Sequence, residues 1–380
     1  MTAFEASHPT RRLLLAGLAI TPLIGRAQDR SPIRICQSTA LSGPLSDLGQ
    51  AMHQGARACF AAINGMGGIG GRPIELVTLD DGYEVQRAVA NVNGFIADKR
   101  TFALFNCMGT AMIQAMLPKV IESGIPFFAP FTGALLARPA GVRSIFMIRP
   151  SYFEEAEQLV QHLATIGIRR IGIAYQNNLF GKEIYDGARA ALDRHKLADA
   201  VAVTVETDAS DAADAAGRLA AANPQAVLLG MAGKPTLNFV KGVRAQRKGL
   251  PLYALSIMGA ADTLKLLGED AIGMTVSQVM PSPRKVSMQI VRDFQRDWKA
   301  ASNGAEASYV ALEGYINARV FAEALNRAGR NLTRAAFIES TWGLRSLDVG
   351  GFEVNFTEPG KSASRFVDLT MVGRDGRFIR

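Results

Sequence analysis

The sequence is poor in the residues from which metal centres and catalytic clusters are built. It has only three cysteines, none in Cys-x-x-Cys spacing, and four histidines that lie far apart. Structural and catalytic metals need such ligands at short, regular spacing. The complete phosphate-loop motif and the Gly-x-Ser-x-Gly nucleophile turn are also missing. We therefore expect no metal site, no cofactor and no catalytic residues.

Charge of one sign is not concentrated anywhere along the chain. The formal net charge is +8, and charged residues make up 20% of the sequence, but no block of five or six like charges occurs. No stripe of Lys and Arg is interleaved with aromatic residues, as a nucleic-acid groove would require. We interpret the excess as a solvated basic surface and expect no nucleic-acid partner.

Long apolar runs are scarce, and none reaches membrane-spanning length. One short run, residues 13–20, follows Arg11-Arg12 and precedes the small-residue pattern Gly25-Arg26-Ala27. This order of basic, apolar and small residues is typical of a secretory signal. It predicts a signal peptide of residues 1–27 and a periplasmic protein, exported by the general secretory or the twin-arginine route. A buried N-terminal helix is the alternative.

Export bears on the cysteines. An oxidising compartment permits one disulfide among Cys36, Cys59 and Cys107 and leaves an odd thiol. Spacing does not choose the pair.

The rest of the chain alternates short apolar runs with amphipathic stretches. A length of 380 residues favours about two domains, and regular βα alternation favours parallel sheets covered by helices. The first series has predicted strands at 33–36, 74–79, 102–105 and 126–129, with helices around 48–63, 85–96 and 110–122.

A second series begins after Arg149-Pro150. Ser151 and Glu154 form a predicted capping box at the start of its first helix. Further strands are predicted at 170–175, 201–205, 226–229 and 252–256, with helices from 181, at 212–221 and at 236–247. The tail breaks this rhythm, with helices at 285–301, 308–327 and from 333, then extended segments at 352–356 and 364–372. We predict an α/β protein of two doubly wound lobes that this tail completes.

Two motifs suggest enzymes and fail on context. Gly65 to Gly70 matches Gly-x-Gly-x-x-Gly, but it follows a predicted helix and precedes a strand, the reverse of a dinucleotide site. A helix-to-strand turn is the better interpretation. Asp80-Asp81 offers paired carboxylates, yet no nucleophile motif accompanies them, and an acidic strand end is favoured.

Two loops are better suited to binding. Residues 106–110 and 130–134 each follow a predicted strand, at the sheet edge where open α/β proteins bind ligands. Thr110 and Thr132 each place a hydroxyl at a predicted helix start, which favours an anion such as a carboxylate. Ordinary helix capping by the same two residues is the alternative.

Several segments together resemble a known family. They are Thr39 to Pro44, Asn64 to Leu76 with Asp80-Asp81, Ser123 to Pro126, Pro130 to Ala134, Ile148 to Pro150 and Phe180-Gly181. In order and spacing the chain resembles the type I periplasmic binding proteins, and more closely the leucine/isoleucine/valine-binding branch that serves ATP-driven importers.

The resemblance implies two lobes joined by three crossings, with the ligand in the cleft between them. The crossings would lie near Arg149, Met280 and Leu347. This gives an N-terminal lobe of 28–149 plus 280–347 and a C-terminal lobe of 150–279 plus 348–380.

The resemblance also implies a set of ligand-binding positions. Thr110 and Thr132 come first, for the ligand's carboxylate. The remaining positions are Leu48, Met108, Gly109, Ala111, Phe131, Gly133, Tyr152, Phe180, Ala232, Ser256 and Ile257.

Departures from the family pattern leave the ligand open. Leu48 stands where the amino acid binders have an aromatic residue, and Ala232 stands where they have tyrosine. The segment around Ser256-Ile257 lacks the acidic residue that holds an ammonium, although Glu155 is an alternative acid. Tyr83 occupies the region of the family's first disulfide cysteine.

We therefore expect a monomeric receptor without enzymatic activity. It would bind a small apolar or aromatic carboxylate, or a branched-chain-type amino acid, and deliver it to the membrane permease of an ABC importer. A ligand-sensing subunit of a regulatory system with the same fold is the alternative.

Overall fold

A computed structural model describes residues 1–3, 30–258 and 261–379. Nearly all of the predicted signal peptide, and its cleavage site, lie outside these residues. Within the described ranges, no helix is both long enough and apolar enough to cross a membrane.

The first sheet has five parallel strands in the order β2-β1-β3-β4-β5. β1 pairs with both β2 and β3, so it is central and its residues are almost all buried. The strands are β1 (Ile33–Thr39), β2 (Ile74–Asp80), β3 (Thr101–Phe105), β4 (Phe127–Phe128) and β5 (Ile145–Phe146).

Among the residues that the structure describes, six helices accompany this sheet, three from the first series and three from the tail. Phenylalanines of β3, β4 and β5 pack against Phe321 and Phe337 of the tail helices, which places the tail in the first lobe's core. The helices are α1 (Ser46–Gly65), α2 (Val85–Ala97), α3 (Thr110–Ser123), α9 (Gln289–Ala301), α10 (Tyr309–Ala328) and α11 (Arg334–Trp342).

The second sheet has seven strands in the order β14-β13-β10-β9-β8-β6-β7. Its βα part is parallel, but β13 and β14 add an antiparallel edge. The strands are β6 (Arg170–Gln176), β7 (Ala198–Val205), β8 (Ala226–Gly230), β9 (Leu252–Ala254), β10 (Thr275–Gln278), β13 (Asp368–Val372) and β14 (Phe378–Ile379).

In the described ranges, five helices cover the second sheet. The first begins at the predicted capping box, in which Ser151 Oγ accepts a hydrogen bond from Glu154 N–H and the Glu154 side chain accepts one from Ser151 N–H. The helices are α4 (Tyr152–Thr165), α5 (Leu179–Arg194), α6 (Ala212–Ala221), α7 (Lys234–Gln246) and α8 (Ala261–Leu267). Short 3-10 helices lie at Leu135–Ala137, Ser256–Met258 and Gly268–Ala271.

The third crossing lies later than expected. A hairpin of β11 (Leu347–Asp348) and β12 (Glu353–Val354) follows α11. Phe352, Val354, Phe356 and Ala363 belong to the first lobe's core, and Ala363 N–H donates to Met147 O at 2.8 Å. The chain therefore crosses between Ala363 and β13, and residues 348–363, assigned to the C-terminal lobe from the sequence, pack with the N-terminal lobe.

The two-lobed α/β fold predicted from the sequence is confirmed. The helix expected directly after β4 is absent from the described residues. Between β4 and β5 the chain forms only a 3-10 turn at Leu135–Ala137. The three cysteines are buried free thiols.

Candidate functional site

The acidic pair at the end of β2 organises one wall of the cleft. Asp80 accepts hydrogen bonds from the N–H groups of Leu41 and Ser42 and from Ser42 Oγ, and these bonds hold its pKa well below the usual range. Asp81 accepts from Ser38 Oγ at 2.8 Å and from Tyr83 N–H at 2.9 Å. The pair is therefore structural: it fixes the turn that presents Tyr83 to the cleft.

Two loops of the first lobe run side by side next to this turn. Met108 and Phe131 form a parallel bridge, and Phe131 N–H donates to Cys107 O at 2.8 Å. This bridge continues the register of β3 and β4 three residues beyond their last pair. As a result, the hydroxyls of Thr110 and Thr132 lie 2.8 Å apart, both fully buried.

The capping alternative fails for Thr110 and holds in part for Thr132. The N-cap of α3 is Gly109, and no side-chain hydrogen bond caps the helix. Thr132 Oγ1 accepts from Ala134 N–H at 3.2 Å, a local turn bond. The expected helix start at Thr132 is wrong, since only a 3-10 turn follows. The first turn of α3 leaves N–H groups without intrahelical acceptors, and its dipole favours an anion beside Thr110.

The ring of Tyr152 forms the floor beneath these hydroxyls. Thr132 Oγ1 donates toward Tyr152 Oη at 3.5 Å, and burial raises the pKa of Tyr152. The ring lies so close to Gly133 that a Cβ there would come within 2.4 Å of it. The role of Gly133 is therefore to leave room for the Tyr152 ring, and this role requires no contact between Gly133 and a ligand.

These residues enclose an outer compartment between the lobes. About 250 Å³ is not filled by atoms, and the centre of a water molecule can reach about 10 Å³ of it, roughly the room that one water needs. Its lining consists of Leu45, Tyr83, Met108, Gly109, Thr110, Phe131, Tyr152, Phe180, Ala232 and Ile257. Residues of both lobes thus meet over a narrow space, and the cleft is closed.

A second space, the inner compartment, lies beyond Phe131. It is as narrow as the outer one, since the centre of a water molecule can reach about 10 Å³ of it, and Phe131 and Ile257 line both compartments. The remaining lining residues are Arg149, Ser256, Gln278, Val279, Met280, Tyr309, Val310 and Glu313.

Arg149, on the first crossing, is the centre of the polar contacts here. Its Nη2 donates to Ser256 Oγ at 2.6 Å and to Glu155 Oε1 at 3.4 Å. Its guanidinium carbon lies 5.2 Å from the centre of the Phe131 ring. Burial by itself would lower the pKa of Arg149, but Glu313 and Glu155 outweigh that effect and raise it.

Glu155 is fully engaged by its neighbours. Besides Arg149, it accepts from Ser256 N–H at 2.9 Å and from Ser277 Oγ at 2.7 Å, and its side chain is wholly buried. The alternative that Glu155 holds a ligand ammonium therefore has little support from the geometry.

Glu313 of α10 is in a different position. Its side chain is 5% exposed, and its one ion pair with a described residue is a 3.7 Å approach to Arg149 Nε, which is too long for a hydrogen bond. Burial raises the pKa of Glu313 to about 7, although Arg149 opposes the shift.

The predicted site residues divide into three groups. Met108, Gly109, Thr110, Phe131, Tyr152, Phe180, Ala232 and Ile257 line the outer compartment. Ser256 lines the inner one, and Thr132 and Gly133 lie just behind the outer wall. Leu48 and Ala111 do not line either compartment; Leu45, one helical turn earlier than Leu48, takes the expected place.

Sequence reasoning missed Leu45 and Tyr83 in the outer compartment and most of the inner one. The missed residues of the inner compartment are Arg149, Gln278, Val279, Met280, Tyr309, Val310 and Glu313. Glu313 carried a usable signal, because it is a lone carboxylate in the apolar stretch 310–316 of a helix, and such residues are rarely buried without a purpose. Tyr83 has a positive φ of 63°, which the sequence does not reveal.

Two lobes that close over a small buried space define a solute receptor. The chain belongs to the periplasmic binding protein family, whose model matches residues 32–377. The resemblance drawn from the sequence is confirmed: this is a type I periplasmic binding protein of the leucine/isoleucine/valine-binding kind, a family of receptors and not of enzymes.

Three similar proteins illustrate the match. "Leu/Ile/Val-binding protein homolog 3" of Brucella melitensis is 20% identical over 360 residues, 94% of this chain and 96% of that protein. A substrate-binding periplasmic protein from Ralstonia solanacearum is 33% identical, with a TM-score of 0.85 over 91% of this chain and 99% of the other. A fatty acid ABC transporter substrate-binding protein from Thermomonospora curvata is 19% identical, with a TM-score of 0.81 over 92% and 91%.

Proposed function

We propose that the chain is the exported substrate receptor of an ATP-driven importer. It binds a small carboxylate with an apolar or aromatic body, or a branched-chain-type amino acid, and presents it to a membrane permease. The observation that carries the proposal is the pair of buried hydroxyls, Thr110 and Thr132, beside the start of α3 in a cleft that both lobes close.

The hydroxyl pair suits a carboxylate chemically. Each hydroxyl donates one hydrogen bond and can rotate to do so. Thr110 lines the outer compartment and can donate to a carboxylate there, and Thr132, just behind the wall, can donate as well once the carboxylate has displaced the Thr110–Thr132 contact. The N-terminal turn of α3 adds backbone donors and a favourable dipole. Hydrogen bonds to a charged group contribute about 1.5–3 kcal/mol each.

The rest of the outer compartment suits an apolar body. Leu45, Met108, Phe131, Phe180 and Ile257 surround the hydroxyls with carbon. Ala232 leaves space where relatives of the amino-acid-binding kind carry tyrosine. Because the closed compartment has room for about one water, a flat aromatic or branched aliphatic group would enter while the lobes are apart and would meet mostly carbon on this wall.

Binding and closure, without chemistry, form the functional event. Leu135 N–H of the first lobe donates to Glu183 Oε2 of the second at 2.8 Å. Such a bond joins the lobes and breaks when they part, so a ligand that holds both lobes shifts the equilibrium toward the closed form.

The partner and location follow from this role. A closed receptor must be recognised by a permease in the membrane, so the receptor works in the periplasm. The predicted signal of residues 1–27 would direct it there by the general secretory or twin-arginine route. We propose that the mature receptor acts as a monomer.

Mass spectrometry of the small molecule retained by the purified protein tests the proposal. The expected result is a low-mass carboxylate that rebinds in calorimetry after removal. Retention and rebinding of a compound without any carboxylate would contradict it. A calorimetric panel of leucine, valine and phenylalanine against matched acids lacking the amino group then distinguishes the two ligand classes.

A further inference from the structure

The inner compartment contains hydrogen-bonding groups that no protein group satisfies. Nε and Nη1 of Arg149 are buried and have no hydrogen-bond partner. In the described part of the chain, no hydrogen bond reaches the carboxylate of Glu313 either. Buried donors such as these two Arg149 nitrogens are uncommon because each costs about 1–3 kcal/mol when left unmet.

The unmet groups lie side by side. Arg149 Nε and Glu313 Oε1 are 3.7 Å apart, and both residues line the same space. One offers hydrogen-bond donors and the other an acceptor, so a single group with an acceptor next to a donor can satisfy both.

The charges around the inner compartment limit which ligand group can bind between Arg149 and Glu313. The positive charge of Arg149 is already opposed by Glu155, so Glu313 is a second carboxylate on one guanidinium. A ligand carboxylate would be repelled by Glu155 and Glu313. A ligand ammonium would be repelled by the Arg149 guanidinium and could not accept a hydrogen bond from the free N–H groups of Arg149. Either arrangement leaves a buried charge poorly paired.

We propose that the inner compartment is a second polar subsite that binds an uncharged group carrying a carbonyl oxygen beside an N–H, of which a primary carboxamide is the simplest. Its oxygen accepts from Arg149 and its nitrogen donates to Glu313. The proposal rests on the proposed function, because the carboxylate of the same molecule lies at Thr110 and Thr132.

The two subsites are connected through Phe131 and Ile257, which line both compartments. The ligand class is therefore two-headed: a carboxylate, an apolar linker that passes Phe131, and a carboxamide. The planar carboxamide would lie beside the Arg149 guanidinium, whose carbon lies over the Phe131 ring, 5.2 Å from its centre.

The backbone that carries Glu313 is held rigidly. A Cβ on the adjacent Gly314 would come within 2.1 Å of Met52 O in α1, so α10 packs directly on α1 at this turn. Glu313 therefore cannot retreat with its helix, and the acceptor stays at the compartment.

Calorimetry with matched ligands tests the subsite. One scaffold is a straight chain that ends in a carboxylate, with the other end a carboxamide (glutaramate), a carboxylate (glutarate), an ammonium (δ-aminovalerate) or a methyl group (pentanoate). The second is para-substituted benzoate with the same four ends. On the scaffold that fits, the carboxamide should bind at least about tenfold more tightly than each of the other three. Equal or tighter binding by any other end group would overturn the subsite.

A substitution supplies an independent test. Above pH 7, where Glu313 is ionised, Glu313→Gln removes the surplus charge and adds a donor. The affinity for the dicarboxylate should then rise by at least about tenfold relative to the affinity for the methyl-ended ligand, and this ratio cancels any effect on closure of the lobes. Glu339→Gln makes the same change at a residue that pairs with Arg143 outside the cleft and should leave the ratio unchanged. An unchanged ratio in a folded Glu313→Gln protein would contradict the role of Glu313.

The two proposals fail differently. If carboxylates bind and Thr110→Val weakens their binding, but the end group does not change the affinity, only the subsite is wrong. If no carboxylate binds on either scaffold or in the panel of amino acids and acids, the proposed function is wrong and the subsite falls with it.

Discussion

The hydroxyl oxygens of Thr110 and Thr132 lie 2.8 Å apart although 22 residues separate them in the chain. Their meeting follows from the parallel pairing of β3 with β4, which continues one step further as the bridge between Met108 and Phe131. Each hydroxyl is the other's partner in the closed cleft, and a bound carboxylate would take the place of that contact.

Thr110→Val should weaken carboxylate binding by roughly 1.5–3 kcal/mol. Valine keeps the shape of threonine and removes the donor, so the fold should survive. Calorimetry with the retained ligand measures the loss. Thr165→Val, which changes a threonine that bonds only Gln161 O on the exposed face of α4, is the matched control. Unaltered affinity in folded Thr110→Val would refute the carboxylate assignment.

Gly133→Ala should weaken ligand binding and lower the free energy of unfolding by roughly 1–3 kcal/mol. The new Cβ would lie 2.4 Å from Cδ1 of Tyr152, so the ring must shift out of the floor of the cleft. Thermal melts and calorimetry check both effects.

Gly217→Ala is the control for Gly133, since the nearest atom to its Cβ, on a Gln246 side chain, is 3.9 Å away. Gly217 is in the interior of α6, so alanine there should be neutral or stabilise by about 0.5–1 kcal/mol. Equal effects at the two glycines would show that the Tyr152 contact does not matter.

Glu183→Ala should weaken ligand binding by about two- to tenfold while leaving the fold intact. It removes the acceptor for Leu135 N–H, a bond that only the closed form makes. Small-angle scattering should show the ligand-bound wild type to be more compact than the free protein, with more ligand needed for compaction in the variant. Glu122→Ala, at an exposed pair with Lys119 on α3, should change nothing. A radius that stays constant at saturation would argue against closure.

Stability should respond to pH through Glu313. Its pKa is raised from 4.5 to about 7 in the folded chain, so between those values the unfolded chain is ionised there while the folded chain holds the proton. Wild type therefore loses stability from this group as pH rises from about 4.5 to 7, after which the loss is complete. The charged groups facing Glu313 are Arg149 and Glu155.

Glu313→Gln does not titrate and should escape this loss. Its stability relative to wild type should grow across that window and end roughly 1–3 kcal/mol higher above pH 7. Urea unfolding at several pH values measures the difference, with Glu339→Gln as the control. A difference that is flat with pH would show that Glu313 has an ordinary pKa.

The N-terminus of the mature protein should be Gln28. The order of Arg11-Arg12, the apolar run and Gly25-Arg26-Ala27 predicts cleavage after Ala27. N-terminal sequencing of the protein recovered from the periplasm checks this. A mature product that still carries residues 13–20 would contradict it.

The first lobe's wall is predictable because it depends on local patterns. Periodicity places β3 and β4, and the carboxyl ends of parallel strands meet at one edge of a sheet, so the amino-acid sequence alone is enough to bring Thr110 and Thr132 to the same edge. Leu45, and not Leu48, lines the outer compartment, because the loop before α1 has no periodicity from which its position could be predicted.

Glu313 and the third crossing were not predictable in this way. The environment of Glu313 depends on how α10 docks onto α1 and onto Arg149, 164 residues earlier, and no local pattern encodes that docking. Phe352, Val354 and Phe356 alternate as a half-buried strand should, but the pattern does not say which lobe buries them. Packing against the aromatic core of the first lobe decides it.

The position of Arg149 has a consequence for anyone adapting this receptor as a sensor. Its side chain lies on a chain crossing and contacts Glu313 of one lobe as well as Glu155 and Ser256 of the other. A substitution made at Glu313 to retune selectivity would also change how strongly the lobes hold each other without ligand. Resting signal, dynamic range and selectivity would therefore change together. A second substitution at the Leu135–Glu183 contact, which also joins the lobes, offers a separate way to restore the resting signal and the dynamic range.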